Sequence, residues 1–400
     1  MSDKEKPVLY DPRRAIEHVQ TLPGFAPVRL FAILFPLWYV EVTGTQEQQR
    51  PYELIEQYIE RGIEEGQFHT ARALADFFSL DSRLVEKILL FLETIGHVRC
   101  ADGIWNLTDL GRRSVSKGKK FIPKETRQKL YFEAFHSQPL LREHYGNNLQ
   151  IFSDLEADEI TQAYKGYQFH RLFSLRPWEP AAVSELERRS DRALYNLREE
   201  IHNLQSLGMM QVYLPMYIIE TRKHNGQLRY VAYTHIRGRR DEFFEQIANT
   251  YPEIQRSLSL STEKGARANE LWTKWLAGKG ITNVQPVQLP TGVWQVILPK
   301  EVFRSQEATF SVAEIGTYRL DQGYFVQIWC DDVELRRNAA LDRTLKVIKS
   351  RRKSITSRDV DENLRRLAEQ LHARKLELAD VRQRAIEVGS SELLSILDAL

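Results

Sequence analysis

Arg192 and Asn196 stand four residues apart, so on a helix they would share a face one turn apart. Arginine pairs in bidentate fashion with guanine and asparagine with adenine. Arg188, Arg189 and Arg198 add phosphate-binding cations to the same stretch, with Glu187, Glu199 and Glu200 among them. Ser82, Arg83 and Lys87 form a second, smaller set. Two basic runs could add phosphate contacts without reading sequence. The first holds Arg112, Arg113, Lys117, Lys119, Lys120, Lys124, Arg127 and Lys129, with Glu125 the only acid between its ends. The second holds Arg336, Arg337, Arg343, Lys346, Lys349, Arg351, Arg352 and Lys353 against Asp342 alone. Runs of this kind also serve as plain solvated faces.

Signs of catalysis are few. Asp331, Asp332 and Glu334 lie at the end of an expected strand beside a basic helix, where a metal-dependent nuclease would hold magnesium over a phosphate. The lysine and spacing of such a site are missing, and a turn or helix-capping role suits these acids better. The acidic cluster Asp154, Glu156, Asp158 and Glu159 has a glutamate where a calcium loop requires glycine. There is no GxxxxGK[ST] loop, HExxH, GxSxG elbow or kinase set. The ten histidines are scattered, none four residues from another, and His97 on an expected strand reads as a satisfied structural residue. Cys100 and Cys330 have no partners at zinc-ligand spacing. The expectation is a protein without catalytic activity, cofactor or metal.

With 400 residues and 42% hydrophobic content, the chain can bury more than one core. A formal net charge of +2 means that any nucleic-acid contact depends on local segregation of charge. The most apolar stretch, Leu30 to Val40, contains Pro36 and is shorter than the roughly 20 residues of a spanning helix, so no membrane contact is expected. The N-terminus is polar and shows no signal-peptide core, which makes the cytoplasm the expected compartment.

The elements that would carry these residues are best marked between Phe68 and Val115. Thr70 can cap a helix with Ala73, Leu74, Phe77 and Phe78, and Asp81 or Ser82 can cap a second with Leu84, Val85, Ile88, Leu89, Leu92 and Ile95. Asp102-Gly103 then turns a hairpin. Ala193 to Leu207 repeats the pattern, with Leu194, Leu197, Ile201, Leu204 and Leu207 at helical spacing, followed by two strands about Asn225-Gly226. Strands are expected at Val287–Leu289, Val293–Leu298, Ala308–Ile315, Thr317–Leu320 and Tyr324–Trp329, and an amphipathic helix from Val360 to Ala385.

The pattern ALA, a capped helix ending in IG, then DGIWNLTDLGR resembles MarR-like winged helices. It is also similar to the dimerisation domain of O-methyltransferases, although no glycine-rich cofactor loop follows. The resemblance covers roughly Tyr52 to Ser116 and implies a helix in the major groove with a wing beside it. The expected fold is mainly α with small β-hairpins, an α+β chain of two winged-helix units, a small C-terminal sheet and a terminal amphipathic helix. The expected divisions are 1–130, 131–240, 241–335 and 336–400. Double-stranded DNA is the expected partner of a regulator or recognition subunit, and the arrangement loosely resembles plasmid replication initiators. The rival is an assembly subunit whose winged helices dock a protein or a second copy, as in kleisin-like partners of SMC ATPases.

Overall fold

The computed structural model describes residues 11–146, 150–161, 169–223, 225–234, 240–260, 266–304, 309–351, 355–398 and 400. In chain order the elements begin with helix α1 (Pro12–Thr21), the long strand β1 (Phe25–Arg50) and helices α2 (Leu54–Glu64), α3 (Ala71–Phe78) and α4 (Ser82–Thr94). The hairpin β2 (Val98–Ala101) and β3 (Ile104–Leu107), helix α5 (Asp109–Lys117) and strand β4 (Lys120–Glu133) follow. Next come α6 (Asp154–Thr161), β5 (His170–Arg171), α7 (Ala181–Arg188), β6 (Ile201–Lys223) and β7 (Leu228–Tyr233). Helices α8 (Glu242–Thr250), α9 (Pro252–Leu260) and α10 (Ala266–Gly278) lead to β8 (Val287–Gln288), β9 (Trp294–Ile297) and α11 (Glu301–Arg304). The chain closes with β10 (Tyr318–Asp321), β11 (Tyr324–Trp329), α12 (Val333–Arg351), α13 (Ser357–Gln370), α14 (Leu378–Glu387) and α15 (Ser391–Asp398). Among the described residues, nine strands join one mixed sheet in the order β7-β6-β1-β11-β9-β8, with β10 on β11 and β4 and β5 on β1. No helix is long and apolar enough to cross a membrane among the described residues.

Two compact bodies share this chain, one made of Met1–Pro36, Gly146–Phe173 and Tyr213–Leu400, the other of Leu37–Tyr145 and Ser174–Val212. In the first, Leu30 to Phe35 are all at most 5% exposed. An apolar run without alternation is what a strand covered on both faces requires. Leu30, Ala32 and Leu34 share a core with Ala15 and Val19 of α1 and with Tyr217, Tyr233 and Phe325 of the neighbouring strands. Strand β11 pairs antiparallel with β1 at Arg29↔Tyr324 and parallel with β9 at Val326↔Trp294. A second core joins Val296 and Ile328 to the C-terminal helices through Leu341, Leu345, Leu364, Leu371 and Val381.

In the second body the remainder of β1 runs antiparallel to β4, from Leu37↔Glu133 to Arg50↔Lys120. Gly44 of β1 is a glycine of necessity, since a Cβ there would stand 2.6 Å from Ile201 at the start of β6. Helices α2 to α5 close their own core around Ile59, Leu74, Val85, Leu89, Leu92 and Leu107. Thr70 accepts a hydrogen bond from the Ala73 N–H, and Asp81 accepts from Arg83 and Leu84, so both caps form where the sequence marks them. Asp102 and Gly103 take φ values of 50° and 80°, as the tight β2–β3 turn demands.

The expected fold class is overturned. The chain is organised by a large mixed sheet, and the mainly α architecture with small hairpins does not describe it. The second expected winged helix is absent, because Arg192–Tyr195 is a short 3-10 turn and β6 begins at Ile201. The leucines that suggested a helix there serve no buried helical stripe, for Leu194 is 59% and Leu207 47% exposed. Pairing along β1 outweighs the local spacing, as tertiary context does for short apolar runs. The strands expected at the C-terminus belong to the large sheet and make no small sheet of their own. Val312–Glu314, inside an expected strand, is a 3-10 turn. The single terminal amphipathic helix is broken into α13 and α14, and their apolar residues Val360, Leu364, Val381 and Ala385 are buried within the first body.

Candidate functional site

Two exposed cations of the first basic run, Arg127 and Lys129, line one cavity with two others at the outer edge of β4. Glu133, fully buried at the end of β4, accepts hydrogen bonds from the N–H groups of Phe135, His136 and Gln138 at 2.7 to 3.1 Å. Burial pushes its carboxyl up against these bonds and the charge of Arg176. This turn folds the chain back along β4, where the Tyr131 N–H donates to the Tyr145 hydroxyl at 2.7 Å and the Leu140 N–H donates to the Tyr131 carbonyl at 2.9 Å. Burial holds both the Tyr131 and Tyr145 phenols above the ordinary tyrosine range, so they are neutral.

Backbone groups in an antiparallel strand alternate sides with period two. Since Tyr131 turns its N–H and C=O away from β1, Lys129 and Arg127 do the same. The outer edge here therefore offers two backbone donors beside two cationic side chains. Arg142, in the 3-10 turn Arg142–Tyr145, lies at this edge together with Asn196 and Arg198. Asn196 ends the turn Arg192–Tyr195 at φ 62°, a left-handed conformation that asparagine tolerates. Together these groups, with Thr126, Gln128, Leu197 and Ile201, line an open cavity of about 320 Å³.

The electrostatics are one-sided. Arg127 reaches Glu41 only at 3.9 Å, and Lys129 lies 5.8 Å from the centre of the Tyr39 ring. Among the described residues, Arg142 and Arg198 make no ion pair and no carboxylate lines the cavity. Gln128 contributes a buried Oε1 with no hydrogen-bond partner. Such a site can neutralise phosphate or carboxylate oxygens and orient them with charge-assisted and backbone N–H bonds.

The sequence-predicted residues are dispersed. Ser82, Arg83 and Lys87 are exposed at the start of α4. Arg112 donates to the Leu107 carbonyl at 2.8 Å and to Asp109 at 2.7 Å, and Arg113 pairs with Glu47 while lying over the Phe121 ring. Arg188 is exposed at the end of α7, whereas Arg189 forms a two-pronged pair with Asp191 at 2.8 Å and stacks on Tyr195 at 4.3 Å. Arg192 is 7% exposed and donates to the Glu187 carbonyl at 3.1 Å and to the Glu199 carbonyl, locking the turn that presents Asn196. Arg192 and Asn196 thus share no helix face, and only Asn196 reaches the cavity. On α12, Arg336 lies 5.1 Å from the Trp329 ring, Arg337 pairs with Asp380 at 2.7 Å, and Lys346, Lys349 and Arg351 are exposed. Arg352 lies outside the described residues. Asp332 caps α12 by accepting from the Leu335 N–H at 3.0 Å, and among the described residues no cluster of acids, histidines or cysteines could hold a metal. Arg142 carries no local sequence signal, because only the turn after Glu133 brings it to β4.

Comparison with protein families, with characterised proteins and with solved structures gives no match to this chain. The winged-helix resemblance is overturned on this count as well as by the large curled sheet.

Proposed function

We propose that the protein binds nucleic acid through the sugar-phosphate backbone, with duplex DNA as its ligand and the β4-edge cavity as the point of contact. The observation that supports this reading is the convergence of Arg127, Lys129, Arg142 and Arg198 on one cavity without a lining carboxylate. Their contacts position a backbone and leave base reading to Asn196 at most. The test is binding of the full chain to duplex DNA over a salt series, with Arg142→Ser and Arg198→Ser combined. The expected outcome is weaker binding and a slope of log affinity against log salt that is shallower by about 1 per lost phosphate contact. An unchanged slope, or no binding at low salt, removes the reading.

A second reading, docking of a protein partner, is favoured by one observation. Residues 202–210 of β6 are exposed on both faces apart from the half-buried Leu204, with Leu207, Met209 and Met210 47 to 55% open. Strand β7 pairs with β6 only from Tyr217 onward, so this stretch offers a free strand edge among the described residues. A protein that retains an intact salt slope in the double variant but elutes as a complex lost on Met209→Lys would support docking.

A further inference from the structure

A second cavity lies wholly within the body formed by Met1–Pro36, Gly146–Phe173 and Tyr213–Leu400 and encloses about 240 Å³. It opens on the face of three paired strands. Gln327 of β11 is in register with Gln295 of β9 and with Tyr318 of β10, so these three side chains form one row across the sheet. Trp329, two residues along β11, occupies the same face, and its ring stands 5.4 Å from His372 in an edge-on arrangement.

The row has an unsatisfied hydrogen-bonding edge. The Gln295 Nε2 donates to the Gln327 Oε1 at 2.9 Å. That bond leaves the Gln295 carbonyl oxygen and the Gln327 amide hydrogens free side by side, one acceptor next to one donor. Were both amides turned over, the pair would still offer one of each. A neighbouring donor and acceptor match the edge of a nucleobase, and Trp329 and Tyr318 supply flat apolar surface for a ring.

The rim is cationic. Arg222, Lys223 and His372 line the cavity, and no aspartate or glutamate lines it among the described residues. Arg222 pairs with Glu220 at 3.2 Å, yet its Nε is buried without an acceptor. Lys223 donates to the Gln227 side-chain oxygen at 3.1 Å and lies 5.9 Å from the centre of the Phe25 ring. The volume is just under the roughly 300 Å³ at which small-ligand sites begin, which suits a ring system inside and a charged group left at the mouth.

We propose that this cavity is a nucleotide-binding site, with the base against the Gln295–Gln327 amide row and Trp329, and the phosphate at the Lys223 ammonium and the Arg222 guanidinium. The proposal rests on this body alone and stands whether or not the β4-edge cavity binds DNA. The nucleotide has two possible sources, a free mononucleotide or one residue of a single strand.

The test is calorimetric titration of the full chain with AMP, GMP, CMP, UMP and inorganic phosphate, and with a short single-stranded oligonucleotide. At least one nucleotide should bind one per chain and more tightly than inorganic phosphate. Lys223→Ser should weaken it about tenfold, the size expected for a lost charge-assisted hydrogen bond. Gln327→Leu should weaken it further and level the preference among bases, whereas Arg142→Ser in the other cavity should leave it unchanged. Binding of the oligonucleotide alone, with the same response to Lys223→Ser and Gln327→Leu, assigns the site to a strand. Lys223 is a surface residue, so its variant remains informative even if Gln327→Leu does not fold. The proposal is overturned if neither ligand type binds, if Lys223→Ser leaves the affinity of every bound ligand intact, or if inorganic phosphate binds as tightly as any nucleotide.

Discussion

Among single residues, His97 has the most constrained setting. It is fully buried, with Nδ1 2.5 Å from the Glu60 carboxylate and Nε2 2.7 Å from the Phe121 carbonyl. Tyr52 donates to the same Glu60 carboxylate at 2.5 Å. Both ring nitrogens therefore face acceptors, and the imidazolium form satisfies both. Desolvation is the largest influence and opposes that charge, but the hydrogen bonds from Glu60 and Phe121 outweigh it and the pKa is raised. A raised folded-state value means that the group's stabilisation is complete below the unfolded value of about 6.5 and is lost as pH rises through the folded one. We expect the melting temperature to fall as pH rises above about 6.5 in the wild type and to fall less in His97→Gln. Equal slopes in melts of the two proteins would show that His97 is neutral. The structural role of this histidine was legible from its lone place beside an expected strand, although the structure starts β2 only at Val98, but its partners were not, since Glu60 and Phe121 are brought to it by two other elements.

Elements were legible where their signals are local. The Thr70 and Asp81 caps, the Asp102-Gly103 turn and the Asn225-Gly226 hairpin each depend on residues within a few positions of one another. The stretch 193–207 misled because its leucine spacing fits a helix while its fate is set by β1, far away in sequence. The same distance hid the cavity at β4, whose Arg127 and Lys129 stood in an evident basic run while Arg142 and Gln128 gave no sign. The packing of α12 on α13 shows a cost that no pattern announces. Arg343 and Arg366 each bury an Nη1 that has no acceptor. Desolvation chiefly, with repulsion from Arg366, lowers the Arg343 pKa to about 10. Burial lowers the Arg366 pKa against the attraction of Glu362, so desolvation outweighs its charge pairing, and replacing such a buried charge by an apolar side chain of similar length is commonly neutral or stabilising. Arg366→Met should therefore raise the stability of this body by about 1 kcal/mol or more, read from chemical denaturation. A loss of similar size would mean that an acceptor reaches these guanidiniums in solution.

Taken whole, the chain crosses between its two bodies four times, at 36/37, 145/146, 173/174 and 212/213, and β1 and β6 each run from one into the other. Strand β1 is made early, yet its neighbour β11 lies about 300 residues further on. A chain ending at Lys279 lacks β8 to β11, and with them the partner of β1 at Arg29 and the Phe325 side chain that packs with Leu30, Ala32 and Leu34. We expect that truncation to be insoluble, and a soluble, monomeric product by size exclusion would contradict the assigned strand order. The strand order has a consequence in time. During synthesis at about 5 to 20 residues per second, the apolar segment Leu30–Phe35 leaves the ribosome on the order of 15 to 60 seconds before Tyr324 and Phe325 of β11 exist. In that interval its pairing with β5 and β6 can form while the place of Phe325 beside Leu30 and Leu34 stays open, so this core is completed only late in synthesis.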